Sequence, residues 1–432
     1  MNRQNDILDE LNFSKYDKSY LQQALFPETL GRDYKKLKVP LGIDKRTKKI
    51  VYLDYNTANR CLIIGQTGSG KTLLMRSIFI DRFFLTKGIS IVLTDLKPEF
   101  FCSSSPAQKK FEKNYLQYEH AKGLDVVVYY PKCFEKLIKH YDNYLSIIKK
   151  WGIIPKPIAI SFENLGLNEF LTLSNRTFTE SQHQFLTTIF LKKQNNEIKN
   201  LDELSQQIKT NTKDFDISTT RAIDITLKLL IGLELINDKY DFNLLDDIKN
   251  KKLIILALAG WDDIRNIIYY PASFVSLFVR KILEYKKRGL IYKEKINLIV
   301  DEAPQFVNKE SNLSSKIEIV DCIKIGREFG ISMTFGSQDL RNLDNPVFEQ
   351  STFILLSHDS SLELTEEIFK NIGLLAHVDS YEYKTRLRAL MNRLEIYKDG
   401  SRDWLFINKE RKSNKIVKTL PSLSWHREEL KL

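Results

Sequence analysis

The sequence predicts an α/β protein whose sheet is mostly parallel and covered by helices on both faces. Three observations support this prediction. Short apolar runs of strand length alternate along the chain with stretches of helical periodicity. One apolar run leads through a glycine-rich loop into a helix, and another ends in a pair of acidic residues. Strands that are apolar along their whole length and alternate with helices are typical of parallel sheets.

The predicted elements follow one another from the N-terminus. Residues 1–37 carry scattered apolar positions and predict an N-terminal helical segment. Residues 38–57 alternate around a turn-like lysine-rich sequence and predict a small β-hairpin. Residues 163–250 have helical spacing with almost no strand candidates, which predicts a helical insertion. Buried strands are predicted at residues 60–64, 89–95, 124–131, 252–259, 296–300, 331–335 and 352–356, and long helices at 270–287 and 315–329.

The glycine-rich loop has the pattern G-x-x-x-x-G-K-[ST], which defines a phosphate-binding loop between a strand and a helix. Its glycines allow successive backbone N–H groups to face phosphate oxygens, and the following helix adds the positive end of its dipole. Lys71 is expected to contact the β- and γ-phosphates, and the Thr72 hydroxyl to ligate Mg²⁺. The sequence therefore predicts ATP and Mg²⁺ as cofactors. The predicted nucleotide-binding residues are Gly65, Gln66, Thr67, Gly68, Ser69, Gly70, Lys71 and Thr72.

Two acids, Asp301 and Glu302, follow the apolar run at residues 296–300. The carboxyl end of a parallel strand is where α/β sheets bind ligands. Asp301 is the candidate for the Mg²⁺ shell, and Glu302 is the candidate base for the attacking water. Standing alone, the pair could simply cap the next helix. The phosphate-binding loop upstream favours the catalytic interpretation.

Two further polar residues flank the strand predicted at residues 331–335. Gln338 follows it and could contact both the γ-phosphate and the attacking water, although one glutamine after a strand means little alone. Arg327 precedes it in the turn. It is either an ordinary surface arginine or an arginine finger for a neighbouring subunit's phosphate.

Composition constrains the partners and the compartment. The net charge of +11 favours anionic partners such as nucleic acid, although 55 acidic residues make general lysine richness an equal alternative. The four cysteines show no C-x-x-C spacing, and no apolar run reaches the roughly 18 residues that span a bilayer. The sequence therefore predicts a cytoplasmic protein without a transmembrane segment of its own.

The order of the motifs resembles the HerA/FtsK superfamily of P-loop ATPases, which includes conjugative coupling proteins and type IV secretion ATPases. The resemblance rests on "VPLGIDKRTKKIVYLD", "LIIGQTGSGKT", "IVLTDLKPEF", "INLIVDEAPQF" and "IGREFGISMTFGSQ", over roughly residues 38–360. It implies a RecA-like core in two parts, residues 38–162 and 251–432, of which the second is expected to include a C-terminal tail. It also implies a homohexameric ring with nucleotide between subunits and double-stranded DNA in the channel.

The resemblance assigns roles to individual residues. Lys71 and Thr72 take the phosphate and Mg²⁺ roles, and Asp301 and Glu302 those of metal ligand and base. Gln338 matches the sensor and Arg327 the arginine of the family's Gly-Arg motif. Asp95 and Glu99 match acids of a family motif and are expected at the catalytic edge. No role is derived for them, although they could couple nucleotide state to a neighbouring subunit.

The expected function is an ATP-driven translocase of double-stranded DNA, with a membrane-channel or nuclease partner as a further possibility. The polar loop after Glu302 is expected to be flexible, with Lys309 and Lys316 as DNA-contacting residues. Two alternatives stay open. One is a secretion-type ATPase that exports protein or nucleoprotein, and the other is a nucleotide-switched assembly protein. DNA-stimulated turnover distinguishes the first expectation from both alternatives.

Overall fold

The computed structural model describes residues 38–97, 99–105, 123–138, 141–174, 177–210, 215–259, 271–373, 380–397, 402–420, 422 and 424. The helical segment predicted at residues 1–37 lies outside this part of the chain. Within the described residues, no helix is both long and apolar enough to cross a bilayer.

All named strands of the described chain belong to one twelve-stranded sheet. They are β1 (Lys38–Asp44), β2 (Ile50–Asp54), β3 (Arg60–Ile64), β4 (Ile89–Asp95), β5 (Val126–Pro131), β6 (Lys156–Ile158), β7 (Leu253–Ala257), β8 (Ile296–Val300), β9 (Ile331–Ser337), β10 (Phe353–Leu356), β11 (Asp403–Asn408) and β12 (Ser413–Thr419). Their order in space is β2-β1-β12-β11-β10-β3-β9-β8-β4-β7-β5-β6.

The sheet has a parallel part and an antiparallel extension. Neighbouring strands from β10 to β6 pair in parallel. Strands β2, β1, β12, β11 and β10 pair antiparallel. The α/β fold with a mostly parallel sheet is thereby confirmed. The predicted β-hairpin is confirmed as β1 and β2 of the extension. Strands β11 and β12 are a finding of the structure, since no strand was predicted beyond residue 356.

Helices connect the parallel strands. The first, α1, starts with an α-helical turn at Lys71–Leu74, continues as a π-helix over Met75–Arg82, and ends with another turn at Phe83–Leu85. The others are α2 (Phe134–Leu137), α3 (Tyr141–Lys150), α4 (Leu167–Ser174), α5 (Glu180–Gln194), α6 (Leu201–Thr210), α7 (Ile217–Gly232), α8 (Leu245–Lys249), α9 (Pro271–Lys287), α10 (Ser314–Ile325), α11 (Asn345–Glu349), α12 (Leu362–Ile372) and α13 (Ser380–Met391).

The apolar strands of the sequence form the centre of the core. Every residue of β3, β7 and β8 is buried. Such two-sided burial needs helices on both faces of the sheet, and it explains why these strands lack the alternation of half-exposed strands. The central strands therefore give the polar groups at their carboxyl ends a rigid base.

The stretch between β6 and β7 is helical in the described residues, from α4 to α8. Helix α5 begins with a capping box, in which the Thr179 hydroxyl accepts the Gln182 N–H and the Gln182 side chain accepts the Thr179 N–H. The separation of residues 163–250 from the two flanking parts as a distinct domain stays a prediction.

The end of the described chain is fastened to α1. Asp81 is 2% exposed, and its carboxylate accepts hydrogen bonds from the Ser422 hydroxyl (2.8 Å), the Ser424 hydroxyl (2.6 Å) and the Ser424 N–H (3.1 Å). Hydrogen bonds to a charged acceptor are stronger than neutral ones, and their buried donors are costly to leave unpaired.

We expect Asp81→Ala to lower the free energy of unfolding by about 3 kcal/mol, because it leaves the buried hydroxyl and N–H of Ser424 without the carboxylate that accepts them. Urea unfolding measures this. Asp125→Ala removes an exposed aspartate of the same size and should change the free energy of unfolding by less than about 0.5 kcal/mol. Equal effects of the two substitutions would show that the Asp81 contacts do not stabilise the fold.

Candidate active site

The glycine-rich loop connects β3 to α1 at the carboxyl edge of the parallel strands. Gly68 and Gly70 have φ angles of 84° and 93°, in the left-handed region that favours glycine. The Lys71 side chain is buried over the loop, and its Nζ donates to the Gly65 carbonyl (2.7 Å) and the Gln66 carbonyl (3.2 Å). The Ser69 hydroxyl is buried and has no hydrogen-bond partner among the described residues. This cradle therefore has the cation and the backbone geometry that phosphate binding requires.

The neighbouring strands hold the loop from two sides. The Gly65 N–H donates to the Ser337 carbonyl at the end of β9 (3.1 Å). After β10, the Asp359 carboxylate accepts the Gln66 N–H at 3.3 Å. From the antiparallel extension, Arg402 Nη1 donates to the Gly68 carbonyl at 2.6 Å. Sequence reasoning missed Asp359 and Arg402, because neither belongs to a recognisable motif.

Asp301 and Thr72 meet at this edge. Asp301 follows β8 and Thr72 follows the loop after β3, and β9 lies between these two strands. The Thr72 hydroxyl donates to Asp301 Oδ2 at 3.1 Å, and the Thr94 hydroxyl donates to the Asp301 carbonyl at 2.8 Å. A Cβ on Gly336 of β9 would lie 2.5 Å from Asp301 Oδ1, so the carboxylate depends on a glycine there. Mg²⁺ prefers few protein oxygens, with phosphates and water completing its shell. A hydroxyl and a carboxylate at this distance fit that donor set.

Burial raises the pKa of the Asp301 carboxyl, and the nearby Glu302 charge adds to this effect, while Lys71 and Thr72 oppose it. Within the described residues, no cluster of three or more acidic, histidine or cysteine side chains could hold a metal by itself. Asp301 and Thr72 would therefore hold Mg²⁺ together with the nucleotide phosphates.

Glu302 has an unusual backbone for a non-glycine residue, with φ 48° and ψ 45°. Its N–H donates to Asp301 Oδ1 at 2.9 Å. Its side chain is 20% exposed and lies 4.0 Å from Lys97 Nζ. Sparsely populated backbone conformations persist where the surroundings enforce them, and they concentrate at functional sites. The two adjacent acids thus have different environments, because the Asp301 carboxylate accepts hydrogen bonds from Thr72 and the Glu302 N–H, whereas the Glu302 carboxylate faces Lys97.

Asp95 and Glu99 line a small cavity beside this pair. The cavity is about 20 Å³ in volume and also contacts Thr72, Asp301 and Glu302. That volume is sufficient for about one water molecule. Burial raises the pKa of Asp95 well above its ordinary value, and the Glu99 charge raises it further. The structure thereby places both acids of the "TDLKPEF" segment at the site, where the sequence alone assigned them no role.

Gln338 and Arg327 lie beyond opposite ends of strand β9. Gln338 directly follows β9, whose last residue Ser337 bonds to the loop through Gly65. Arg327 precedes β9, and the strand separates it from Gln338 by roughly 20 Å, at the rise of about 3.3 Å per strand residue. Its guanidinium is 58% exposed and lies 3.4 Å from Glu410 in the β11–β12 turn. Arg327 therefore cannot reach the phosphate cradle of its own chain.

The loop after Glu302, expected to be flexible, is tied to the segment before α11. Asn308 pairs with Leu343 in an antiparallel bridge, and the Lys309 N–H donates to the Asn342 carbonyl at 3.0 Å. Lys309 is exposed, whereas Lys316 Nζ contacts Asp344 at 2.8 Å and the Lys309 carbonyl at 2.8 Å. Of these two predicted DNA contacts, Lys309 is the more available, because an aspartate already balances the charge of Lys316.

Comparison with known families agrees with this geometry. The family described as "Helicase HerA, central domain" matches residues 40–281, more than half of the chain. The chain belongs to the HerA family. Its phosphate-binding loop lies inside the matched region, and Asp301, Glu302, Arg327 and Gln338 lie beyond its end. The HerA assignment agrees with the resemblance inferred from the motifs and supports a P-loop ATPase.

One curated HerA relative, the DNA double-strand break repair helicase HerA of Sulfurisphaera tokodaii, is 25% identical over 240 residues. The match covers 52% of this chain and 46% of the relative, so it spans about half of the relative's length. Among solved structures, VirB4 of Thermoanaerobacter pseudethanolicus has a TM-score of 0.51 at 14% identity, covering 88% of this chain and 96% of that one. This likeness shows the fold alone.

The genome packaging NTPase B204 of Sulfolobus turreted icosahedral virus 2, in complex with sulfate, is also similar. It has a TM-score of 0.36 at 12% identity and covers 84% of this chain and 98% of its own.

Proposed function

We propose that this HerA-family protein is a cytoplasmic ATPase that moves double-stranded DNA as a homohexameric ring. The observation that carries the proposal is the contact of 3.1 Å between Thr72 and Asp301, because it unites the phosphate-binding loop with the acidic pair. The family assignment supports the DNA substrate, since the matched curated relative is a DNA repair helicase. The net charge of +11 agrees with a polyanionic partner.

We assign the chemistry to the residues at the carboxyl edge of the sheet. The backbone N–H groups of the loop and Lys71 bind the phosphates, and Thr72 and Asp301 hold Mg²⁺. Bound Mg²⁺ neutralises charge that develops on the transferred phosphoryl group. Glu302 accepts the proton of the attacking water, and Gln338 orients that water against the γ-phosphate.

The same geometry supports a ring. Arg327 is exposed at the sheet edge opposite its own phosphate cradle. An arginine there can contribute to catalysis only at the nucleotide of another subunit. Turnover in this proposal needs Glu302 from one chain and Arg327 from the next. The DNA contact is assigned to Lys309, with Lys316 as the weaker candidate.

We expect long duplex DNA to raise the ATPase rate of the purified protein. The DNA-binding constant should fall with salt concentration. We expect a slope of about −5 or steeper in a plot of log binding constant against log salt concentration, which corresponds to about six or more neutralised phosphates at about −0.9 each. A coupled ATPase assay and a filter-binding salt series measure these quantities. Lys71→Ala is the control, because it should remove turnover with and without DNA while leaving DNA binding intact.

Each alternative function gives its own result in this experiment. Strong ATPase activity that duplex DNA leaves unchanged would favour a secretion-type ATPase. Slow hydrolysis with nucleotide-dependent assembly would favour an assembly protein. Normal turnover by Lys71→Ala would overturn the assignment of the phosphate-binding loop itself.

A further inference from the structure

The C-terminal arginine Arg402 touches the tip of the phosphate-binding loop. It lies immediately before β11 in the antiparallel extension. Its Nη1 donates to the Gly68 carbonyl at 2.6 Å, in the short range of charge-assisted hydrogen bonds. The Arg402 carbonyl in turn accepts the Thr419 N–H and hydroxyl, both at 3.2 Å. A residue 334 positions away in sequence is thus fixed by the sheet against the loop.

The tip of the loop has little else to fix it. A Cβ on Gly68 would meet no atom of the described residues within 4 Å, so packing does not restrict this position. Gly68 also has a φ of 84°, and glycine moves readily between positive and negative φ. The peptide group between Gly68 and Ser69 is nevertheless bonded on both sides. Arg402 holds its carbonyl, and the Gln66 carbonyl accepts its N–H at 3.1 Å.

Arg402 also depends on a second glycine of the motif. A Cβ on Gly70 would lie 3.1 Å from both Cδ and Nε of Arg402, so the guanidinium packs closely against this position. Arg402 Nε is buried and has no hydrogen-bond partner in the described part of the chain. A cation with an unpaired buried donor therefore lies against a loop built to hold phosphates.

We propose that Arg402 is a positioning residue of the nucleotide site. It orients the peptide group at the loop tip for phosphate binding and adds a second positive charge beside Lys71. Orientation of the loop before the nucleotide arrives favours the bound ground state and the transition state equally. Its loss therefore raises KM and leaves kcat nearly unchanged. This inference rests on the proposed ATPase site and does not depend on DNA as the substrate.

The test compares Arg402→Gln, which removes the charge and the forked donor set, with Arg402→Lys, which keeps the charge. Arg393→Gln is the matched control, because it neutralises an exposed arginine nearby in the C-terminal region. Titration calorimetry with Mg²⁺ and the slowly hydrolysed analogue ATPγS gives Kd. Steady-state ATPase assays without DNA give KM and kcat, and thermal unfolding gives Tm.

We expect Arg402→Gln to raise Kd and KM by about tenfold, equivalent to about 1.4 kcal/mol, with kcat within about threefold of the wild type. Arg402→Lys should lie between Arg402→Gln and the wild type, and Arg393→Gln should match the wild type. A Kd for Arg402→Gln within twofold of the Arg393→Gln value would overturn the proposal. So would a loss of kcat at unchanged Kd.

If Arg402→Gln does not fold, Arg402→Lys decides by the same criterion. A wild-type protein that binds ATPγS but is never stimulated by DNA would refute the proposed translocase and leave the Arg402 proposal standing. A wild-type protein that does not bind ATPγS would refute both.

Discussion

Glu302→Gln should reduce kcat for ATP hydrolysis by about 10²–10⁴-fold while ATP binding persists, because the amide cannot accept the proton of the attacking water. The substitution keeps the size of the side chain and the Glu302 N–H bond to Asp301 Oδ1, so the Mg²⁺ ligand stays in place. Single-turnover hydrolysis and titration with ATPγS separate chemistry from binding.

Two control variants sharpen this prediction. Glu310→Gln makes the same change at an exposed glutamate of the following loop and should leave kcat unchanged. Lys97→Gln removes the ammonium that lies 4.0 Å from Glu302 and should have a much smaller effect, because Lys97 is exposed and such pairs contribute little. Near-normal kcat for Glu302→Gln would exclude Glu302 as the base and leave Asp95 and Glu99 as the other acids beside the cavity.

The sequence predicts the parallel part of the sheet well, because its strands are buried on both faces and consist of continuous apolar runs. β3 and β8 were predicted with the bounds that the structure shows. β12 begins with four exposed or half-exposed positions before its buried end, so its residues look like a charged tail in the sequence. In the sheet it pairs with its sequence neighbour β11 on one side and with β1, more than 360 residues earlier, on the other.

The candidate site was likewise predictable only in part. The loop and the acidic pair follow from local motifs, whereas their supports depend on contacts between distant segments. Arg402 reaches Gly68 only because β11 pairs with β10, and β10 with β3. No pattern in the sequence around residue 402 indicates that contact. The "TDLKPEF" segment was visible as a motif, but only the fold shows that its acids lie beside Asp301.

Arg327→Ala should reduce turnover by about 10³-fold or more while nucleotide binding is nearly unchanged, because a trans-acting arginine stabilises charge that develops only in the transition state. The position of Arg327 at the edge opposite its own cradle makes this effect depend on a ring. Glu410→Gln is the matched control, since it releases Arg327 from its partner at 3.4 Å without removing the guanidinium. Both groups are more than half exposed, so their pairing should matter little and kcat should stay near normal.

Mixing Arg327→Ala with Glu302→Gln tests the shared site directly. Each variant is inactive alone, but a mixed ring contains interfaces where an intact Glu302 meets an intact Arg327 from the neighbour. The ATPase rate of the mixture should therefore exceed the sum of the separate rates and depend on the mixing ratio. Fluorescently labelled subunits establish that the rings have exchanged. An inactive mixture in exchanged rings would refute the trans role of Arg327. A loss of kcat in Glu410→Gln as large as that in Arg327→Ala would instead assign Arg327 to the packing of its own chain.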